Sequence, residues 1–452
     1  MLIMKILIVV HQFFPEFMGG TEVLTFDVAQ TLKNNGNEVK IFTAFPYEGE
    51  INDLDRFDSY TYKNIDVIRF KHTVTPMGEQ SNTFELEYNN LFVASYLREF
   101  FKAWHPDIVH VFHFHRVSMS IVDVCKEFNI PVLYTATDFW PICLLSQLRN
   151  HDGTMCSGPN KNAVNCVRHL ALAFQPVEVQ RKVQRIPNLL LGLIIKSIKV
   201  GMFGNYAFSP YIKALSQRPM FMKDRLNYID KILVPTQLMG EILSKNGVDR
   251  KRIDFQRYGV NLNYYKKINK SRGSSRILKI GYIGALYEHK GVHLLIESVR
   301  ILKNEDNIEI KIYGDLNQSP EYGKRLKNIA ENDERIKFCG TFPNDEIGQI
   351  LFDIDALVVP SIWYENTPLV VYSALAARCP VIASNVKGIS EIIKHEENGL
   401  LFEIGDVKGL SEAIKLVNND REFLAKLSDN IVEPKSMESY VTELERYYAE
   451  LL

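Results

Sequence analysis

The sequence predicts an α/β protein made of two doubly wound, Rossmann-like domains that face each other across a cleft. Three observations carry this. The chain has 452 residues, 46% hydrophobic and 24% charged, which is enough for two cores and too polar for a membrane bundle. Short apolar runs alternate with stretches of helical period in both halves, as in strand–helix–strand units around a parallel sheet. No short-period repeat is present, so the halves share an architecture and do not form an array.

The opening MLIMKILIVVHQFF has too short an apolar run for an export signal, and no small-residue cleavage site follows it. Lys5 to Val10 therefore reads as a buried strand. The loop His11 to Gly20 comes next, then a helix with Leu24, Val28 and Leu32 on one face, stopped at Gly36. Strands are predicted at Val39 to Thr43, Asp107 to Phe112 and Pro131 to Thr135, with a helix over Ser118 to Phe128. The second half predicts strands at Leu278 to Gly284, Ile308 to Tyr313, Arg335 to Cys339, Ala356 to Pro360 and Pro380 to Ser384, all separated by helical stretches. A last helix over about Lys435 to Leu451 spaces Tyr440, Leu444, Tyr447 and Leu451 for packing. The expected domains are 1–228, 229–434 and a terminal helix, 435–452, that crosses back to the first domain; Asn261 to Arg276, rich in Asn, Lys and Ser, reads as a link.

A net charge of −1 gives no global reason to bind nucleic acid, and no basic–aromatic module appears. No run approaches the roughly 18 apolar residues of a spanning helix; the nearest, Leu189 to Ile195, ends at Lys196. Six cysteines without an export signal suggest reduced thiols or metal ligands, and a cytoplasmic location.

The most informative stretch is Pro360-Ser361-Ile362-Trp363-Tyr364-Glu365-Asn366-Thr367-Pro368-Leu369, which follows a strand and opens a helix. Thr367 suits the N-cap and Pro368 the first helical position. The amides of such a helix start suit a pyrophosphate, and Glu365 just before it can accept hydrogen bonds from sugar hydroxyls. The plainer alternative for Glu365 is a carboxylate that caps the helix dipole.

This stretch resembles glycosyltransferase family 4, a retaining family of GT-B fold. The resemblance extends to Gly19-Gly20-Thr21-Glu22, to Gly284-Ala285-Leu286-Tyr287-Glu288-His289-Lys290-Gly291 and to Asn398-Gly399-Leu400-Leu401, and so covers nearly the whole chain. It implies that Lys290 neutralises the donor pyrophosphate and Glu365 contacts the transferred sugar. The backbone of Asn366, Thr367, Pro368 and Leu369 would assist, and Gly19 and Gly20 would let the backbone approach phosphate or acceptor. Three positions depart from the family pattern. Ser373 stands eight residues after Glu365, where the family has a ribose-binding Glu; Ala285 replaces an Arg; Thr137 replaces a His near the anomeric carbon. Asp138, next to Thr137, is then the candidate for stabilising positive charge at that carbon, or else a turn cap. Of His110, His113 and His115, the first reads as a strand residue, while His113 or His115 could reach the cleft. No catalytic metal is expected.

Cys143, Cys156, Cys166 and His169, spaced Cys-x12-Cys-x9-Cys-x2-His within a loop over 143–169, fit a structural zinc site. Between Val179 and Lys223 there are eight Lys or Arg residues and no Asp or Glu, interleaved with apolar clusters. This insertion, 179–223, reads either as an interfacial membrane segment or as a helical lid. The expected function is retaining sugar transfer from a nucleoside diphosphate sugar to a saccharide acceptor, lipid-linked if the insertion meets the inner face of the plasma membrane, in polysaccharide or glycan biosynthesis. The alternatives are a catalytically silent nucleotide-sugar-binding protein or partner subunit, and a GT-B nucleotide-sugar epimerase.

Overall fold

A computed structural model describes residues 3–202, 206–265, 275–302, 307–366 and 368–452. The chain divides into two units: Met1–Arg257 with Val441–Leu452, and Tyr258–Tyr440.

The first unit is built on strands β1 (Lys5–Val10), β2 (Glu38–Pro46), β3 (Phe57–Tyr62), β4 (Ile65–His72), β5 (Ile108–Val111), β6 (Val132–Thr135), β7 (Lys231–Val234) and β8 (Ile253–Phe255). They form one sheet in the order β3-β4-β2-β1-β5-β6-β7-β8, parallel except where β3 runs antiparallel to β4. β1 is apolar throughout because it is central, paired with β2 on one edge and β5 on the other, and Ile6 to Val10 are fully buried. The β3–β4 hairpin was not predicted. Its turn is Lys63-Asn64, both at positive φ, as a tight hairpin between twisted strands requires.

Strands β7 and β8 correct the predicted boundary at 228. Lys231–Val234 pairs in register with β6 and then carries β8, so the first sheet claims the chain up to Arg257. Of the predicted link Asn261 to Arg276, residues 266–274 lie outside those described.

The second unit holds β9 (Leu278–Ile283), β10 (Ile308–Tyr313), β11 (Ile336–Gly340), β12 (Ala356–Val359), β13 (Val381–Ser384) and β14 (Gly399–Phe402) in the order β11-β10-β9-β12-β13-β14, every pair parallel. The chain winds outward from β9 to β11, then restarts at β12 on the other side of β9. That reversal is the switch point, where loops part and leave a crevice at the strands' carboxyl ends. In the first unit the corresponding reversal separates β1 from β5. Both units have the Rossmann-like form of the GT-B fold.

The helix Met437–Leu451 spans the division of the chain, which falls between Tyr440 and Val441. Within the first unit, Tyr448 is fully buried, and its hydroxyl meets His110 Nδ1 at 2.7 Å. His110 Nε2 meets Thr135 Oγ1 at 2.8 Å, so this strand histidine ties β5 to β6 and to the terminal helix. The packed residue of that turn is Tyr448, not the predicted Tyr447, which is half-buried.

Between β6 and β7 four helices are inserted: Val164–Phe174, Val177–Arg185, Asn188–Lys199 and Ser209–Leu226. They share a small core of Val164, Val167, Leu191, Ile195 and Leu215. Each such side chain contributes about 1.5–3 kcal/mol when fully buried. Arg218, within the predicted basic insertion, is an internal anchor: its buried guanidinium lies 4.7 Å from the centre of the Trp140 ring and donates to the Trp140 carbonyl.

Candidate functional site

In the second unit the loops after β9 and β12 meet at the switch point. Gly291, at φ +72, lets the first loop close against the second; a Cβ there would stand 1.9 Å from the Pro360 carbonyl oxygen. The Ile362 amide donates to the His289 carbonyl at 3.0 Å, and the His289 ring packs edge-on against Trp363. This close contact brings Lys290 and Glu365 together. Lys290 Nζ donates to Glu365 Oε1 at 2.7 Å, and the ammonium also lies 5.0 Å from the Trp363 ring centre. The same Oε1 accepts from the Ser361 hydroxyl and from the Trp363 indole N–H at 3.1 Å.

Glu365 is therefore a buried carboxylate with three donors on one oxygen, while Lys290 is about a quarter exposed. The pair suits polar, anionic ligands. The ammonium has three donors and spends one on Glu365, leaving capacity for phosphate oxygens. Gly388, at φ +93, lies against the backbone of Glu365; a Cβ there would stand 1.6 Å from the Glu365 carbonyl oxygen.

The helix after this loop runs Leu369–Ala376. Pro368 is its N-cap, with extended backbone, and Leu369 is the first helical residue, one position later than predicted. Asn366 is partly buried, and Thr367, expected as the cap, lies outside the described residues. Ser373 is buried in the second turn.

In the first unit the carboxyl ends of β1, β5 and β6 gather a cluster that the sequence reading recognised only in part. His113 Nε2 meets Asp138 Oδ2 at 2.8 Å, and Asp138 Oδ1 accepts from the Trp140 amide at 2.9 Å. The His115 amide donates to His113 Nδ1 at 3.0 Å, so the proton of a neutral His113 sits on Nε2, facing Asp138. Burial alone would raise the Asp138 carboxyl. The charge and hydrogen bond of His113, with the Trp140 amide and the Ser146 hydroxyl, instead hold it below the usual carboxylate range. Asp138 is thus both a turn cap and an anion. Thr137, at the family's His position, turns its hydroxyl to the Phe112 carbonyl at 2.7 Å and so ties β6 to β5.

The His11 ring packs at a tilt of 31° against His113, with ring centroids 4.0 Å apart, and its Nε2 lies 3.4 Å from Glu22 Oε1. Burial, then the neighbouring His113, His115 and Arg116, pushes His11 well below the ordinary histidine range. Burial pushes Glu22 up. Gly19, the N-cap of Gly20–Asn34, makes room for this carboxylate: a Cβ would stand 2.5 Å from Glu22 Oε2. Gly19 and Gly20 are exposed. Among the described residues, His11 Nδ1, Glu22 Oε1 and Trp140 Nε1 are buried without a hydrogen-bond partner. Such orphaned polar atoms cost free energy, and they commonly mark a site where a ligand or water completes the set. Glu87 also joins the cluster, 3.2 Å from His72 and 3.4 Å from His115.

Cys143, Cys156, Cys166 and His169 line one depression together with Leu148 and Leu170. The donor types suit zinc, but among the described residues no three His, Cys, Asp or Glu side chains stand close enough to hold a metal ion. The Gly158 amide donates to Cys156 Sγ at 3.4 Å. Burial pushes the Cys166 thiol up to about 12 and raises Cys156 as well.

Two family models match this sequence: Glycosyltransferase Family 4 over residues 18–159 and Glycosyl transferases group 1 over residues 266–433. The chain resembles glycosyltransferase family 4 in both of its units. Relatives include a putative colanic acid biosynthesis glycosyltransferase of Escherichia coli (strain K12), 26% identical over 41% of this chain and 47% of its own. A putative glycosyltransferase of Bacillus subtilis (strain 168) is 30% identical over 38% of this chain and 47% of its own. The chain thus spans about half the length of these curated relatives. Among solved structures, Anabaena HepE in complex with UDP and glucose superposes with a TM-score of 0.64 at 16% identity, covering 99% of both chains. A sucrose-phosphate synthase from Thermosynechococcus elongatus gives 0.66 at 15% identity, covering 99% of this chain and 98% of its own. At these identities the likeness concerns the fold.

Proposed function

We propose that the protein transfers a sugar from a nucleoside diphosphate sugar to a saccharide acceptor, with retention at the anomeric carbon, in the assembly of a polysaccharide or glycan. The single observation that carries this reading is the Lys290–Glu365 pair at the second unit's switch point, a cation for phosphate beside a buried carboxylate for sugar hydroxyls. Lys290 is assigned the donor pyrophosphate, Glu365 the transferred sugar, and the backbone of Asn366, Thr367, Pro368 and Leu369 the phosphate edge. Ser373 is assigned a neutral hydrogen bond in place of a ribose-binding carboxylate. Gly19 and Gly20 belong to the acceptor side.

Asp138 is assigned the stabilisation of positive charge developing at the anomeric carbon. What supports this is that His113 keeps it ionised at the end of β6 although Thr137 has taken the family's His position. The His113–Asp138 pair also favours catalysis over a silent binding protein. The acceptor is proposed to be a lipid-linked saccharide, met at the inner membrane face. Release of free nucleotide from a panel of nucleoside diphosphate sugars, with and without membrane extract, tests the activity, and the anomeric configuration of the product tests retention. A donor that binds without being turned over under every acceptor condition would defeat the reading. Glu365→Ala is expected to abolish transfer.

A structural zinc held by Cys143, Cys156, Cys166 and His169 remains part of the proposal, supported by their shared depression. Zinc would fix the loop over 143–169 and take no part in the chemistry. One zinc per chain after washing with chelator, lost in Cys166→Ser, is the expected result; absence of stoichiometric metal would end this part of the proposal.

A further inference from the structure

The inserted helix Asn188–Lys199 is apolar on two opposite faces, and the fold uses only one. Leu191 and Ile195 are buried in the core that the insertion helices share, and Ile198 is buried on the same face. On the other face Leu189 is 81% exposed, Leu190 49% and Leu193 55%, and the stripe continues through Lys196 to Val200, 69% exposed. Gly201, at φ +87, turns the chain beyond the helix end, and the Met202 amide returns to the Ser197 carbonyl at 3.0 Å, which keeps the exposed Met202 beside the last turn. A helix that keeps a second apolar face in water gives up free energy that polar residues there would save, so that face calls for an occupant.

Charge identifies the occupant. Arg181, Lys182 and Arg185 precede the helix, Lys196 and Lys199 close it, and no Asp or Glu stands between Val179 and Lys223. Glu178 is the nearest acid on the preceding helix. Cations before and at the end of a helix with exposed leucines match a surface that is anionic outside and apolar beneath, which is an anionic lipid bilayer. With 12 residues the helix is about 18 Å long, well short of a bilayer core of about 30 Å. No helix of the described residues is long and apolar enough to cross a membrane. The orientation is therefore in the plane of the interface.

We propose that the exposed face Leu189–Leu190–Leu193–Val200, with Met202 and the flanking cations, docks the protein on anionic membranes. This goes beyond sugar transfer, and its test does not depend on that activity. The full chain is sedimented with phosphatidylcholine vesicles and with vesicles containing phosphatidylglycerol, at low and high salt. Binding is expected on the anionic vesicles and is expected to weaken with salt. Leu189→Ser with Leu193→Ser is expected to lower that partitioning about thirtyfold, roughly fivefold per leucine removed from the interface. Lys196→Glu with Lys199→Glu is expected to lower it by a similar or larger factor on anionic vesicles only. Because both pairs lie outside the insertion core, thermal melts are expected to match the parent. If the leucine pair disturbs folding, the lysine pair carries the test. No sedimentation with anionic vesicles overturns the proposal, as does binding that neither pair reduces. A parent dimer that the leucine pair dissociates, without vesicle binding, would assign the face to a second copy of the chain and also overturn it.

Discussion

Replacing Glu365 by Gln is the most discriminating test of the candidate donor site, because it separates the role of the charge from that of the hydrogen-bond acceptor. In the structure one carboxylate oxygen takes bonds from Lys290, Ser361 and Trp363. Alanine would leave three donors aimed at an empty point, one of them an ammonium. Breaking a buried ion pair in this way costs about 3–5 kcal/mol and would confuse loss of fold with loss of site. Glutamine keeps an acceptor oxygen and the side-chain shape, so what is lost is charge assistance, most of it in the Lys290 bond, about 1–2 kcal/mol. If the carboxylate also holds sugar hydroxyls as charge develops, two charge-assisted bonds weaken in the transition state. Their loss, about 3 kcal/mol, is roughly a hundredfold in rate. The assay is nucleotide release at saturating donor, with a thermal melt of the same preparation. Turnover within about threefold of the parent, on a folded protein, would refute the assignment of Glu365 to the donor.

Three further predictions follow from the geometry. Gly388→Ala and Gly36→Ala form a matched pair, since both glycines have φ +93 but only Gly388 has a backbone atom in the way. Gly36→Ala is expected to cost only the left-handed strain, about 1–2 kcal/mol, while Gly388→Ala should also displace Glu365 and abolish donor binding; equal effects in a binding titration would contradict this. His110 is fully buried and pushed down to about 3, so below pH 6.5 the unfolded chain binds a proton that the folded chain refuses, and stability falls toward acid. This one histidine is worth about 1.4 kcal/mol between pH 7.5 and 5.5, with His11 and His115 acting in the same direction and the raised Glu22 opposing them; a urea midpoint that stays flat or rises toward pH 5.5 would contradict it. Asp138→Asn should lower turnover by tenfold or more with the fold kept. Because the Asp138 carboxyl is held below the usual range, its own titration should leave the parent's activity level between pH 5 and 8.

The strands of both sheets that lie near the switch points were legible because central strands in a parallel sheet are buried on both faces and read as continuous apolar runs, as Ile6 to Val10 and Ala356 to Val359 do. What escaped were the edges. β3 and β8 are partly exposed, so their patterns are mixed, and β7, the neighbour of β8, was missed with it. Missing β7 and β8 shifted the predicted boundary to 228. The Cys143, Cys156, Cys166 and His169 spacing was legible as a local group, and the four do line one depression, but spacing alone does not set the distances between them.

The Lys290–Glu365 pair was readable residue by residue, since each follows a strand in a motif of its own. Their direct bond was not, because it depends on Gly291 letting one loop reach the Pro360 carbonyl of the other. The first unit adds a different lesson. Thr137 looked like a loss when matched position by position, yet its hydroxyl braces β6 against β5, and β5 supplies His113 to the next residue, Asp138. Neighbouring parallel strands end side by side, so a histidine from one strand end can serve a carboxylate from the next without any sequence proximity. His11 enters the same group from the end of β1, by the same logic, and brings Glu22 with it from the helix that follows. A departure at one position of a strand end is therefore weighed against what the adjoining strand ends carry, and here they carry His11, His113, His115 and Asp138, joined in one connected cluster by Glu22 and Glu87.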